Sequence, residues 1–212
     1  MFGISDGLVT NVSLILGMAG AHSTQGVVRL AGLAVLVGGS FSMAAGEYVS
    51  MRAQKELLER ELAVERHAIH QWPEGEREEL ARLYEGRGMD PELAEQAAGA
   101  VMRDPDVALE THAREELGID PSSLGSPVQA AVASFVTFAV GALLPLVPWL
   151  FAGGGNAMVA SVVIGVVAAL GVGAALSAFT GRTWWWSAGR QLVIATIAAG
   201  VTFGIGRALG TT

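Results

Sequence analysis

The chain has 212 residues, 51% of them hydrophobic and only 16% charged, with 28 glycines and a formal net charge of −7. A soluble domain is nearer a quarter charged, and here the apolar residues come in long runs, which excludes a single large soluble core and points to a membrane protein. The absence of cysteine excludes disulfides, thiolate metal sites and cysteine nucleophiles.

The first apolar run, roughly 2–21, contains "FGISDGLVTNVSLILGMAG". It has no basic flank and no small-residue cleavage site, so a retained span is expected, not a leader peptide. Asp6 stands near its start. It could cap the helix after Ser5 at the water boundary, or serve as a ligand on an ion path. Thr10 and Asn11, one turn on, could add oxygens to such a path or act as packing groups between helices.

The second run, roughly 27–51, continues into Arg52 with no breaker. Met43, Glu47 and Met51 recur at i, i+4 and i+8, which puts two thioethers and a carboxylate on one helical face. Carboxylates prefer hard cations and thioethers softer ones, so together they suit a borderline divalent ion such as Fe²⁺. The plainer alternative has the methionines facing lipid or packing, with Glu47 at the membrane edge. An acid within a span costs several kcal/mol, which favours a functional role.

Residues 52–124 are a different polymer. Of the 13 Lys and Arg, nine lie here, as do 18 of the 20 Asp and Glu, for a net of −9. Helical patterns are broken at "QWPEG", "GRGMDP" and "RDPD", giving three or four helices. Asp90 and Asp104, each followed by proline, are expected N-caps. Carboxylates recur at helical spacing: Glu61 with Glu65, Glu76 with Glu79, and Glu115 and Glu116 near His112. Such spacing builds metal sites inside helix bundles. It also describes solvated faces with ion pairs at i, i+4, such as Glu56–Arg60 and Glu78–Arg82. His67 and His70 are expected at the surface.

Three more spans follow, at roughly 128–151, 156–180 and 188–209. The third holds Pro145 and Pro148, which are expected to kink or end it. The glycines of the fourth suit close helix approach, and Trp184, Trp185 and Trp186 suit an interfacial belt. "GGSFSM" has no intramembrane histidine to serve a serine nucleophile, and no phosphate-binding Gly-Lys-Ser/Thr loop exists to drive a pump. With five spans, the acidic segment and the "GRTWWWSAGR" loop share a side carrying eleven Lys and Arg, against Arg29 and Arg207 opposite. The positive-inside rule makes that side cytoplasmic. The fold expected is therefore an all-α membrane protein: spans one and two in 1–51, a cytoplasmic acidic helical domain in 52–124, and spans three to five in 125–212.

Taken together, "SDGLVTN", "SMAAGEYVSMRAQ", "DPDVALETHAREELGI" and "SPVQAAVASFVTFAVGALLPLVP" resemble the vacuolar iron transporter family, and the resemblance runs over essentially the whole chain. It implies a homodimer with the ion path between subunits, and export of Fe²⁺, often also Mn²⁺, from the cytoplasm with protons as counter-ion. It assigns Asp6, Met43 and Glu47 to the path, and Glu65, Glu76, Glu79 and Glu116 to the cytoplasmic metal site. Two departures stand out. Ala68 replaces a second glutamate in the first cytoplasmic helix, and His112 and Ala113 replace a methionine and a glutamate ahead of the last ligand.

The function expected is thus a divalent metal transporter, not an enzyme, in a bacterial inner membrane. Asp6, Asn11, Met43, Glu47 and Met51 line its path, and Glu61, Glu65, Glu76, Glu79, His112 and Glu116 hold metal in the acidic domain. No permanently bound cofactor and no nucleic-acid partner are expected; metal ions, lipid and a second copy of the chain are. The alternative is a membrane-tethered iron-binding, ferroxidase-like sequestering protein. An anchor of that kind would have no use for Asp6 and Glu47.

Overall fold

The computed structural model describes residues 2–116, 118, 120 and 125–210; the domain boundary expected at 124 lies outside them. Every regular element among the described residues is helical: α1 (Phe2–Gly20), α2 (Gln25–Gln71), α3 (Pro73–Gly86), α4 (Pro91–Val101), α5 (Pro105–Glu115), α6 (Pro127–Phe151), α7 (Gly154–Thr180) and α8 (Trp184–Leu209). Five of them, α1, α2, α6, α7 and α8, are long and apolar enough to cross a membrane. The chain divides into two compact units: Met1–Tyr48 with Val128–Thr212, and Val49–Pro127. The unbroken α2, 47 residues long, belongs to both, as the lack of any breaker before Arg52 requires.

In the first unit, α1 is the central element. Its Ile15 packs with Val28 of α2, Leu146 and Trp149 of α6 and Ala157 of α7. Its Leu8 and Val12 pack with Ala169 of α7 and Ala199 of α8. Backbones approach this closely because glycines sit at the contacts. A Cβ on Gly7 would collide with the Phe138 carbonyl of α6, one on Gly141 with the Ile4 carbonyl, and one on Gly206 of α8 with the Gly17 carbonyl. Asn11, fully buried, donates from Nδ2 to the Ala142 carbonyl at 2.6 Å and so pins α1 to α6.

Pro145 and Pro148 do not end α6, which runs on to Phe151. Neighbouring side chains satisfy polar groups of this stretch. Ser161 Oγ donates to the Pro145 carbonyl at 2.6 Å. Gln25 Nε2 donates to the Ala152 carbonyl at 2.6 Å, and the Arg29 guanidinium donates to the carbonyls of Trp149 and Ala152. Arg29, a cation stranded on the sparsely charged side by the sequence pattern, thus caps the C-terminal end of α6, where exposed carbonyls and the helix dipole favour positive charge. At the far end of α7, Gly181 takes φ +64°, the left-handed conformation of a helix C-cap. α8 begins at Trp184, four residues before the expected span, because the tryptophan run is itself helical.

In the second unit the end of α2 and helices α3 to α5 pack through two small apolar clusters. Ile69 of α2 meets Ala108 and Leu109 of α5, and Leu80 and Ala81 of α3 meet Ala98 of α4. Asp90 and Asp104 cap α4 and α5, accepting from the backbone N–H of Glu92 and of Asp106 at 3.0 Å. The surface ion pairs differ from those expected: Glu56 pairs with Arg52 at 2.6 Å, not with Arg60, and Arg77 joins α3 to Glu95 of α4.

The glycine seam yields a test. Gly206→Val is expected to cost about 1–3 kcal/mol by overpacking, lowering the thermal midpoint in detergent. Gly204→Val, whose Cβ meets nothing within 4 Å, should leave the midpoint close to wild type.

Candidate metal centre

The second unit brings five of the expected ligands together from three helices. Along α2, Leu62, Glu65 and Ile69 fall on one face at about 100° per residue, so Glu65 sits at the edge of the stripe that packs the bundle. His112 lies one turn beyond Ala108 and Leu109 on the buried face of α5, and Glu116 one turn further, at the helix C-cap. Glu76 and Glu79 project from α3, beside Leu80. His112 is fully buried, and its Nδ1 is 3.2 Å from Glu65 Oε1, 3.6 Å from Glu116 Oε2 and 3.8 Å from Glu76 Oε2. Glu65, His112 and Glu116 each offer a ligand atom, and these atoms all lie within 4.8 Å of one another.

Neither nitrogen of His112 makes a hydrogen bond, nor does Glu65 Oε1, although all three atoms are buried. Unsatisfied buried polar groups cost about 1–3 kcal/mol each, and a packing role alone would not call for them. Among the described residues, no Lys or Arg forms an ion pair with Glu65, Glu76, Glu79 or Glu116. The basic side chains nearby are engaged elsewhere: Arg77 with Glu74 and Glu95, Arg87 with Glu115, and Arg114 with Glu110.

Electrostatics follow from this crowding. Burial, then the charges of Glu76 and Glu79, push Glu65 up to about 6. Burial, the hydrogen bond with Glu79 and the charges of Glu79, Glu65 and Glu76 push Glu116 up to about 8. Glu76 is raised by burial and by Glu79. His112 is lowered by burial, against the opposing pull of Glu79. At neutral pH Glu116, pushed up to about 8, keeps its proton, Glu65, pushed up to about 6, is largely ionised, and burial disfavours the charged form of His112; a divalent cation would displace such a proton.

Glu61 does not join the cluster. It lies one turn back on α2, about 40° further round from the packing stripe than Glu65. His67 and His70 are exposed, as expected. In the first unit, Asp6 is exposed and accepts a hydrogen bond from Thr10 Oγ1 at 3.5 Å. Met43 and Glu47 lie partly buried one turn apart on α2, and Met51 falls in the second unit. Asn11 spends its amide on α6, while its Oδ1 is buried without a partner. Sequence reasoning missed the contact between Gln191 of α8 and Ser5, next to Asp6. The one signal for it was an amide within an otherwise apolar run.

Five membrane-length helices define a multi-pass membrane protein, and Glu65, His112 and Glu116 are placed as a group that could hold a metal ion. The chain belongs to the VIT family, whose sequence model matches residues 1–207. It is 29% identical over 212 residues to vacuolar iron transporter 1 of rice, covering 100% of this chain and 84% of the relative. It is 30% identical over 210 residues to vacuolar iron transporter 1 of Eucalyptus grandis, covering 99% and 84%. Against the vacuolar iron transporter of Acanthamoeba castellanii it is 44% identical over 126 residues, covering 59% and 48%.

The shifts give a pH prediction. Glu65 and Glu116 bind protons more tightly folded than unfolded, so their contribution is full below the ordinary carboxylate value and is lost as pH rises through about 6 and then about 8. His112, being lowered, acts oppositely: its contribution is present above its ordinary value and fades as pH falls. With Glu65, Glu76 and Glu116 raised against His112 lowered, the unfolding midpoint of chelator-treated protein is expected to fall between pH 5 and 8.5. Each kcal/mol lost corresponds to about 4–8 °C in a unit of this size. Glu116→Gln should flatten that slope in scanning fluorimetry.

Proposed function

We propose that this protein carries divalent iron, and Mn²⁺ as a second cargo, across the membrane and out of the cytoplasm in exchange for protons. The observation that carries the reading is the convergence of Glu65, Glu76 and Glu116 on the unpartnered imidazole of His112. Family membership and the names of the relatives support iron as the cargo. The cluster collects the ion on the cytoplasmic side, and Asp6, Met43 and Glu47 pass it through the membrane unit. Asn11 and Met51 flank that path. Thioether and carboxylate together suit Fe²⁺. An acid that takes either a proton or a metal ion supplies the chemistry of exchange. In the membrane the protein works as a homodimer, in a bacterial inner membrane, with Val49–Pro127 in the cytoplasm. The Lys and Arg distribution supports that orientation.

In proteoliposomes with an acidic interior, wild type should take up Fe²⁺, and Asp6→Asn and Glu47→Gln should each cut the rate on the order of tenfold or more, as expected for acids that act within a span. Flux at the wild-type rate in both variants would sink the mechanism. A second reading, a tethered sequestering protein, is favoured by one observation: all of the clustered ligands lie in Val49–Pro127. It predicts metal binding without flux. A thermal shift with Mn²⁺, expected for the wild type, should disappear in Glu76→Ala/Glu79→Ala.

A further inference from the structure

We propose that His112 sets the ion preference of the cluster, contributing one nitrogen donor to a single divalent ion held otherwise by Glu65 and Glu116. It thereby tunes the site toward Fe²⁺, Co²⁺ and Zn²⁺, with Mn²⁺ held more weakly, and away from Mg²⁺ and Ca²⁺. The inference rests on the reading that the cluster binds the cargo, and adds which residue selects it.

Three observations carry it. His112 is the one buried histidine of four; His22, His67 and His70 are exposed. Both its nitrogens lack hydrogen-bond partners, and so does the nearest carboxylate oxygen, Glu65 Oε1. The spacing also fits one ion. Two donors each about 2.1 Å from a metal and at right angles lie about 3 Å apart, close to the 3.2 Å and 3.6 Å that separate Nδ1 from Glu65 and Glu116. Glu76 at 3.8 Å and Glu79, hydrogen-bonded to Glu116, then complete or orient the oxygen side.

The chemistry decides the direction. A purely carboxylate site suits Mg²⁺, Ca²⁺ and Mn²⁺. Imidazole adds much more to the binding of later divalent ions, whose affinities rise from Mn²⁺ through Fe²⁺ to Co²⁺ and beyond. One nitrogen among oxygens would therefore separate iron from the abundant hard cations without the tight grip of thiolates, which this chain lacks.

The test uses the full chain in detergent, stripped of metal, with His22, His67 and His70 changed to Gln to remove exposed imidazoles. Co²⁺ and Mn²⁺ are titrated separately by equilibrium dialysis. The parent should bind Co²⁺ at least about tenfold more tightly than Mn²⁺. His112→Asn puts an amide oxygen near the position of Nδ1. It should keep Mn²⁺ affinity within about threefold while losing most of the Co²⁺ advantage, and the visible Co²⁺ absorption should shift. An unchanged Co²⁺/Mn²⁺ ratio in a folded variant overturns the assignment. If His112→Asn does not fold, pulsed electron paramagnetic resonance of vanadyl on the parent decides: imidazole ¹⁴N coupling supports the proposal, and its absence overturns it. A parent that binds neither ion defeats the metal reading of the whole cluster. A parent that binds both ions with equal affinity defeats the role of His112 alone.

Discussion

Mutual repulsion among Glu65, Glu76, Glu79 and Glu116 is the constraint around which the second unit is organised. Carboxylates brought together in a partly buried space repel one another and oppose folding, and protonation of Glu65 and Glu116 relieves part of that repulsion. The apolar contacts that hold the bundle are modest, a handful of alanines with a leucine or isoleucine in each cluster. The unit thus spends packing free energy on holding acids together, the reverse of what stability alone would select. A cation placed among these acids would oppose their mutual repulsion, and occupancy and order would then be linked.

The membrane unit follows a different logic. Lipid gives little hydrophobic drive between helices, so contacts there rely on close backbone approach and on hydrogen bonds that leave no carbonyl stranded. Gly7, Gly141 and Gly206 supply the approach, and Asn11, Ser161, Gln25 and Arg29 supply the bonds. α6 runs through its two prolines, and neighbouring side chains donate to carbonyls near its C-terminal end.

The five spans and the helical insert were legible in the sequence because hydropathy and charge are bulk properties of long segments. The caps at Asp90 and Asp104 were legible because a capping residue followed by proline is a local signal. The family resemblance singled out Glu65, Glu76, Glu79 and Glu116, whereas helical spacing alone left Glu61 and Glu65 equivalent; what three dimensions add is that Leu62 and Ile69 on the packed face hold Glu65, not Glu61, at the edge of the bundle. Arg29 read as a charge on the wrong side, whereas its partners are carbonyls 120 and 123 residues away. Pro145 and Pro148 were expected to kink or end α6, and the helix runs through both to Phe151.

The contact of Gly206 with Gly17, backbone against backbone, has a consequence for how this sequence can vary. No side chain larger than hydrogen fits there, and no rotamer change can relieve the collision, since the obstacle is a carbonyl. Drift at such positions is blocked one residue at a time, while the outward face of α8, with Val193, Ile197 and Val201 exposed, can exchange one apolar residue for another freely. Mutational tolerance should therefore be striped along α1 and α8, rigid on the seam and permissive a hundred degrees away, so that distant versions of this chain would keep the seam while their outer surfaces diverge.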